Sequence, residues 1–132
     1  MVKKKQIIHE TAPAIIEDMT SGEEDRFSAD LSRNLAEISK EKDVVGYIVR
    51  NATSATIDLK EPEKIVEYAI FSSEVFESSQ EISDLFQLGP VQSILIEGKE
   101  IKTLCIIIDD NKISIFMEKE ADHADILKRV SP

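Results

Sequence analysis

Apolar residues follow two rhythms along this chain, one with the spacing of helices and one with the density of strands. Over residues 28–42, Leu31, Leu35 and Ile38 recur three to four positions apart among Asp30, Arg33, Glu37 and Lys40. This is the stripe of an amphipathic helix. The run Val44-Val45-Gly46-Tyr47-Ile48-Val49 is then rich in β-branched residues and of strand length. Asn51 to Ser54 turns the chain, and residues 55–59 return as a weaker strand, so a hairpin is expected.

Glu61-Pro62 opens the longest helix, with proline in the first turn, where its missing N–H costs nothing. The pattern runs to about Leu88 and stops at Gly89-Pro90, and Ser78-Ser79 is expected to loosen the middle. Three strands follow over residues 91–97, 100–109 and 112–118. Gly98 and Asn111 in the intervening turns accept the left-handed backbone of tight hairpins. In the second of these strands Lys102 and Thr103 give way to a wholly apolar run, which predicts a later half covered on both faces. Residues 122–130 form a short helix with Ala124, Leu127 and Val130 inward. The order is α-β-β-α-β-β-β-α.

Residues 1–27 read as an extension to a domain spanning 28–132. They hold Lys3-Lys4-Lys5, then Ile7-Ile8, then Ser21-Gly22-Glu23-Glu24-Asp25-Arg26. Thr11 would cap a short helix with Ile15, Ile16 and Met19 on one side; a tail that carries such a helix only transiently fits the same residues.

The long helix has more apolar surface than a sheet needs. At 100° per residue, Ile65, Tyr68, Ala69, Phe71, Val75, Phe76, Ile82 and Phe86 span an arc of about 160°. A helix lying on a sheet needs a stripe somewhat over about 100° wide. The surplus, at Phe71, Val75 and Ile82, calls for a second covering surface: a partner, or the N-terminal Ile15, Ile16 and Met19 folded back. The third strand, with Val91, Ser93 and Leu95 on one face, lacks the inward charges that often protect a sheet edge, and pairing with another chain would remove that liability.

Composition narrows the function. Twenty-six acidic against 16 basic residues leave a formal charge of −10, which repels nucleic acid, and Lys3 to Lys5 is too short to reverse it. The single cysteine, Cys105, lies in the run Leu104 to Ile108, where it reads as a small buried hydrophobe; it allows no disulfide within the chain and fits a reducing, cytoplasmic compartment. No apolar stretch approaches the ~20 residues of a membrane span. Lys3 to Lys5 is followed by only Ile7-Ile8 before His9 and Glu10, unlike a secretory leader.

No catalytic pattern emerges. His9 and His123 have no Cys or His at metal spacing. Asp109-Asp110 beside Asn111 reads as a turn, and the sequon Asn51-Ala52-Thr53 has no role in the cytosol. Gly22, Gly46, Gly89 and Gly98 are too scattered for a phosphate loop, and no serine sits in a Gly-x-Ser-x-Gly elbow. The expectation is a non-enzyme with no cofactor and no metal.

Three stretches resemble the Roadblock family of dynein light chains, Rag-scaffold subunits and prokaryotic regulators of Ras-like GTPases. They are Asp43 to Val49 after the first helix, Tyr68-Ala69-Ile70-Phe71-Ser72-Ser73 in the long helix, and Gln87 to Gly98 leaving it. Asn51-Ala52-Thr53-Ser54 departs from the Asp-Gly-like turn frequent in that family. The resemblance implies an α+β fold, a five-stranded antiparallel sheet with helices on its faces. It also implies dimers that pair the long helices and join sheet edges through the third strand. Tyr68, Phe71, Val75, Ile82, Val91, Ser93 and Leu95 would then form the interface. The partner would be a second copy or a related subunit, and the dimer a platform for a small GTPase or an assembly containing one. A profilin-like or PAS-like sensory domain is the competing reading; it needs a cavity under the long helix, with Tyr47, Tyr68 and Cys105 as its polar groups.

Overall fold

The computed structural model describes residues 22–131, with side chains from residue 29 onward. Helix α1 (Gly22–Ser39) leads into strands β1 (Val44–Arg50) and β2 (Ala55–Leu59). A 3-10 turn (Pro62–Lys64) opens helix α2 (Ile65–Leu85), and strands β3 (Ser93–Glu97), β4 (Ile101–Ile108) and β5 (Asn111–Glu118) precede helix α3 (His123–Val130). The strands form one antiparallel sheet in the order β2-β1-β5-β4-β3. The three longest strands therefore lie inside, and the two shortest, β2 and β3, form the edges.

One face of the sheet carries the larger core. Val44, Leu104, Ile106, Ile113, Ile115 and Met117 pack against Leu31, Leu35 and Ile38 of α1 and Ile126 and Val130 of α3. The helical spacing read from the sequence thus places the α1 stripe correctly. In α3 the inward residue is Ile126, whereas Ala124, expected inside, is exposed. Asp122 caps this helix by accepting a hydrogen bond from the Asp125 N–H at 3.1 Å, which puts Ile126 and Val130 one turn apart on the buried side. Arg129 joins α3 to the end of α1 through an ion pair to Glu41 at 2.6 Å. Truncating a fully buried residue such as Phe116 or Leu35 would cost about 3–5 kcal/mol.

Local details differ from the sequence reading. Helix α1 starts at Gly22, earlier than the expected Ser28. Residues 1–21, with the expected short helix at Thr11, lie outside the described residues. Helix α2 is unbroken at Ser78-Ser79; the Ser79 hydroxyl donates back to the Val75 carbonyl at 2.8 Å and stays within the helix. In β4, Lys102 and Thr103 are buried like the apolar run after them, since β3 and β5 flank the strand from Lys102 to Ile106. The Lys102 ammonium lies 3.0 Å from Nδ1 of His123.

The turns use other residues than expected. At the β4–β5 turn the left-handed backbone belongs to Asp109 (φ 54°), not Asn111. Gly98 has no positive φ; a Cβ there would sit 2.8 Å from the Ile101 carbonyl oxygen, so close approach is what requires glycine. Gly46 (φ 153°) follows an irregularity in the β1–β5 register between Val44 and Gly46.

Candidate interaction surface

Among the described residues, helix α2 lies alone on the second face of the sheet. Beneath it, Ile48, Ile57, Leu59 and Phe116 form a smaller core, met by Ile65, Tyr68, Ala69 and Phe71 from the helix. Tyr68 stacks on Phe116 with ring centroids 4.5 Å apart and planes at 11°, and Phe71 meets the same ring at 6.3 Å and 53°. Burial pushes the Tyr68 phenol above its ordinary range, while the nearby Lys64 opposes the shift.

The centre of the buried helix face is polar. Ser72, Phe76 and Ser83 are the residues of α2 that point fully inward. The Ser72 and Ser114 hydroxyls lie 2.6 Å apart, and Ser114 also lies 3.4 Å from the Cys105 thiol. Burial raises the Cys105 pKa, partly offset by the Ser114 hydrogen bond, so this thiol is held in its unreactive protonated form. Ser83 bonds to the Gly89 carbonyl and ties the end of the helix to the loop that follows. That loop reverses through Gln87 (φ 57°) and Gly89 (φ 87°), leaving Phe86 and Leu88 at the surface.

The apolar residues of α2 therefore occupy its flanks. One flank is fixed by Arg50 of β1, whose guanidinium donates to the Ser73 hydroxyl. Phe71, Val75 and Ile82 lie about 160–200° around the helix from Ser73, on the flank turned away from Arg50. Phe71 and Val75 are half-buried, and Ile82 is 55% exposed. No second helix covers this flank among the described residues.

Register shows which residues of the edge strand lie on the same side of the sheet. Ile94 pairs with Cys105 and Ile96 with Thr103, so these two β3 residues share the α2 side of the sheet. Ile94 is half-buried and Ile96 is 38% exposed. The expected edge residues behave differently. Ser93 opposes Ile106 and Leu95 opposes Leu104, which belong to the α1–α3 core, so both point to the opposite face from Phe71, Val75 and Ile82. Val91 precedes β3, and its N–H donates to the Gln80 side chain at 3.2 Å. The seven expected residues thus do not share one face: Tyr68 stacks over the central strand β5, and Ser93 and Leu95 point away from Phe71, Val75 and Ile82. Ile94 and Ile96 were legible as alternate positions of an apolar strand; the choice between its two faces was not.

The polar groups suggested for a ligand cavity do not converge. Tyr47 packs in the α1–α3 core, whereas Tyr68 and Cys105 lie on the α2 side. The open cleft is elsewhere, about 870 Å³ between the second half of α2 and the ends of β1 and β5, lined by Arg50, Ser73, Glu77, Asp84 and Lys112 among others. Among the described residues, no cluster of three or more His, Cys, Asp or Glu side chains is placed to hold a metal, and no helix is long and apolar enough to cross a membrane.

No family model and no curated protein matches this sequence. Among solved structures, a Roadblock/LC7 domain from Streptomyces avermitilis superposes with a TM-score of 0.63 at 12% identity, covering 76% of this chain and 88% of that one. The three helices, the five-stranded antiparallel sheet and the superposition agree: this chain has the Roadblock/LC7 fold.

Proposed function

We propose that this chain is a non-catalytic protein-interaction module that works as a dimer, with a second copy or a related subunit seated against the α2 flank and the β3 edge. The observation that carries this reading is the half-covered layer beside α2. Phe71, Val75 and Ile82 lie on one flank of α2, Ile94 and Ile96 are partly exposed on the same side of the sheet, and β3 is an unpaired edge among the described residues. An apolar flank beside a free edge suits simultaneous helix packing and strand addition by one partner. The absence of a catalytic pattern in the sequence fits a module whose work is contact.

The dimer serves as a platform for a small GTPase or an assembly containing one. This part rests on analogy with the fold. Calorimetric titration of the full chain with the small GTPases encoded beside it in its genome, each loaded with GDP or GTP, tests it. Saturable binding to one of them is expected. Heats of dilution alone for every GTPase in both nucleotide states would remove the GTPase role and leave the dimer standing.

A further inference from the structure

The cleft of about 870 Å³ beside Arg50 lies on the opposite flank of α2 from the proposed dimer contact. Its floor is cationic. Arg50 and Lys112 pair directly across β1 and β5, so their side chains stand together on the α2 side of the sheet. Arg50 is half-buried and uses one nitrogen on the Ser73 hydroxyl. The rest of its fork of donors, with the Lys112 ammonium beside it, is left for the cleft. The wall is anionic. Glu77 and Glu81, one helical turn apart and both exposed, line the cleft with Asp84, whose carboxylate accepts from the Gln80 amide at 2.8 Å. Asp110 adds a carboxylate at the β4–β5 turn. Among the described residues no ion pair joins floor to wall. Like charges are thus neighbours both across the strands and along the helix, arrangements that cost stability when unanswered. The cleft favours an occupant with an anion for the floor and cations for the wall.

The spacing of these groups fits an extended peptide. From Ser72, which touches Ser114, α2 runs on for about 20 Å to Leu85, whereas β5 reaches back only about 10 Å to Asn111. The helix therefore outruns the sheet, and the bond between Arg50 and Ser73 closes the inner end of the cleft by tying helix to strand. A blind end suits a chain terminus. Glu77 stands about 6 Å along the helix axis from Ser73, and Glu81 about the same distance further on. Alternate side chains of an extended peptide share one face and repeat every ~6.7 Å, close to that step. From these matches of charge and spacing, we infer that the cleft holds the C-terminal end of an extended partner peptide. Its terminal carboxylate lies on Arg50 and Lys112, and cationic side chains two and four residues before the end lie on Glu77 and Glu81.

The test is fluorescence anisotropy with the full-length protein and the peptide Gly-Lys-Ser-Lys-Ser-Ala, labelled with fluorescein at its amino end and free at its carboxyl end. Saturable binding is expected, weakened about tenfold or more when the carboxyl end is amidated. Lys112→Glu should abolish that difference between the free and the amidated peptide. The double variant Glu77→Lys, Glu81→Lys should lose the lysine peptide and bind one with glutamate in place of both lysines, an exchange that misfolding cannot produce. The substituted side chains are all exposed. No saturable binding, or a double variant that still holds the lysine peptide, would overturn the inference. So would equal binding of the free and amidated peptides, because the attraction would then be that of any cation to an acidic chain. None of these outcomes bears on the dimer, which is read from the other flank.

Discussion

The hydroxyls of Ser72 and Ser114 meet at 2.6 Å in the middle of the layer between α2 and the sheet, where both residues are at most 2% exposed. A helix held on a sheet by packing alone can slide by a turn at little cost. A buried hydroxyl pair fixes one register, since a slip leaves two polar groups without partners. That register determines which side chains of α2 lie on the flank turned away from Arg50, so the pair positions the proposed interface without belonging to it.

Ser72→Ala should therefore cost about 1–2 kcal/mol of stability, the usual effect of leaving a buried hydroxyl short of a partner. Ser114 retains its contact with Cys105, which keeps the loss at the lower end. The double variant Ser72→Ala, Ser114→Ala should lose less than the sum of the single changes. Urea denaturation of the four proteins measures the coupling; strict additivity would show that the pair holds nothing in place.

Gly46→Ala should be more damaging than its size suggests, by about 2–4 kcal/mol. A Cβ at this position would lie 2.3 Å from the Asp58 carbonyl oxygen and 2.8 Å from the Leu59 Cα, both backbone atoms of the paired strand. Its φ of 153° is also one that side chains rarely adopt. Thermal unfolding should show a large fall in Tm, whereas Gly89→Ala, with nothing within 4 Å of its added carbon, should lose only the backbone strain of φ 87°.

Tyr47 gives the protein a defined alkaline weakness. Burial, reinforced by the Asp58 carboxylate paired across the β1–β2 ladder, pushes its pKa up to about 12 from an unfolded value near 10. The unfolded chain therefore loses this proton first. The stabilisation is complete below pH 10 and is lost as pH rises from about 10 to about 12. Stability of wild type and Tyr47→Phe, compared across that window, should show a steeper decline for wild type. Parallel curves would mean that the phenol is not held neutral by the fold.

Much of the architecture was legible because α1, β1, β4 and β5 bury one face or both, so their apolar periods match their burial. The exposure of β3 as a sheet edge lies outside that match, since only Ile94 of the strand is partly covered. Helix α2 was not readable in this way. Beside Phe76, its inward centre is Ser72 and Ser83, which no hydrophobic count assigns to a core, while Val66 and Ile70 face outward. The flank at Phe71, Val75 and Ile82 was found from its surplus. The β3 residues that accompany it, Ile94 and Ile96, follow from strand register, a property of the pairing with β4 and not of β3 itself. Ala124 failed because the cap at Asp122 sets the phase of a helix too short to reveal it.

Sedimentation equilibrium of the full chain and of Ile82→Glu tests the central claim, pairing of two chains along the α2 flank and the β3 edge. Ile82 suits the purpose because it is 55% exposed; Phe71 also packs on Phe116, so a charge there would damage the core as well. The account predicts twice the chain mass for the wild type at micromolar concentration, and the single-chain mass for Ile82→Glu with its circular dichroism unchanged. A wild type that sediments as a single chain, or an Ile82→Glu protein that remains paired, would contradict it.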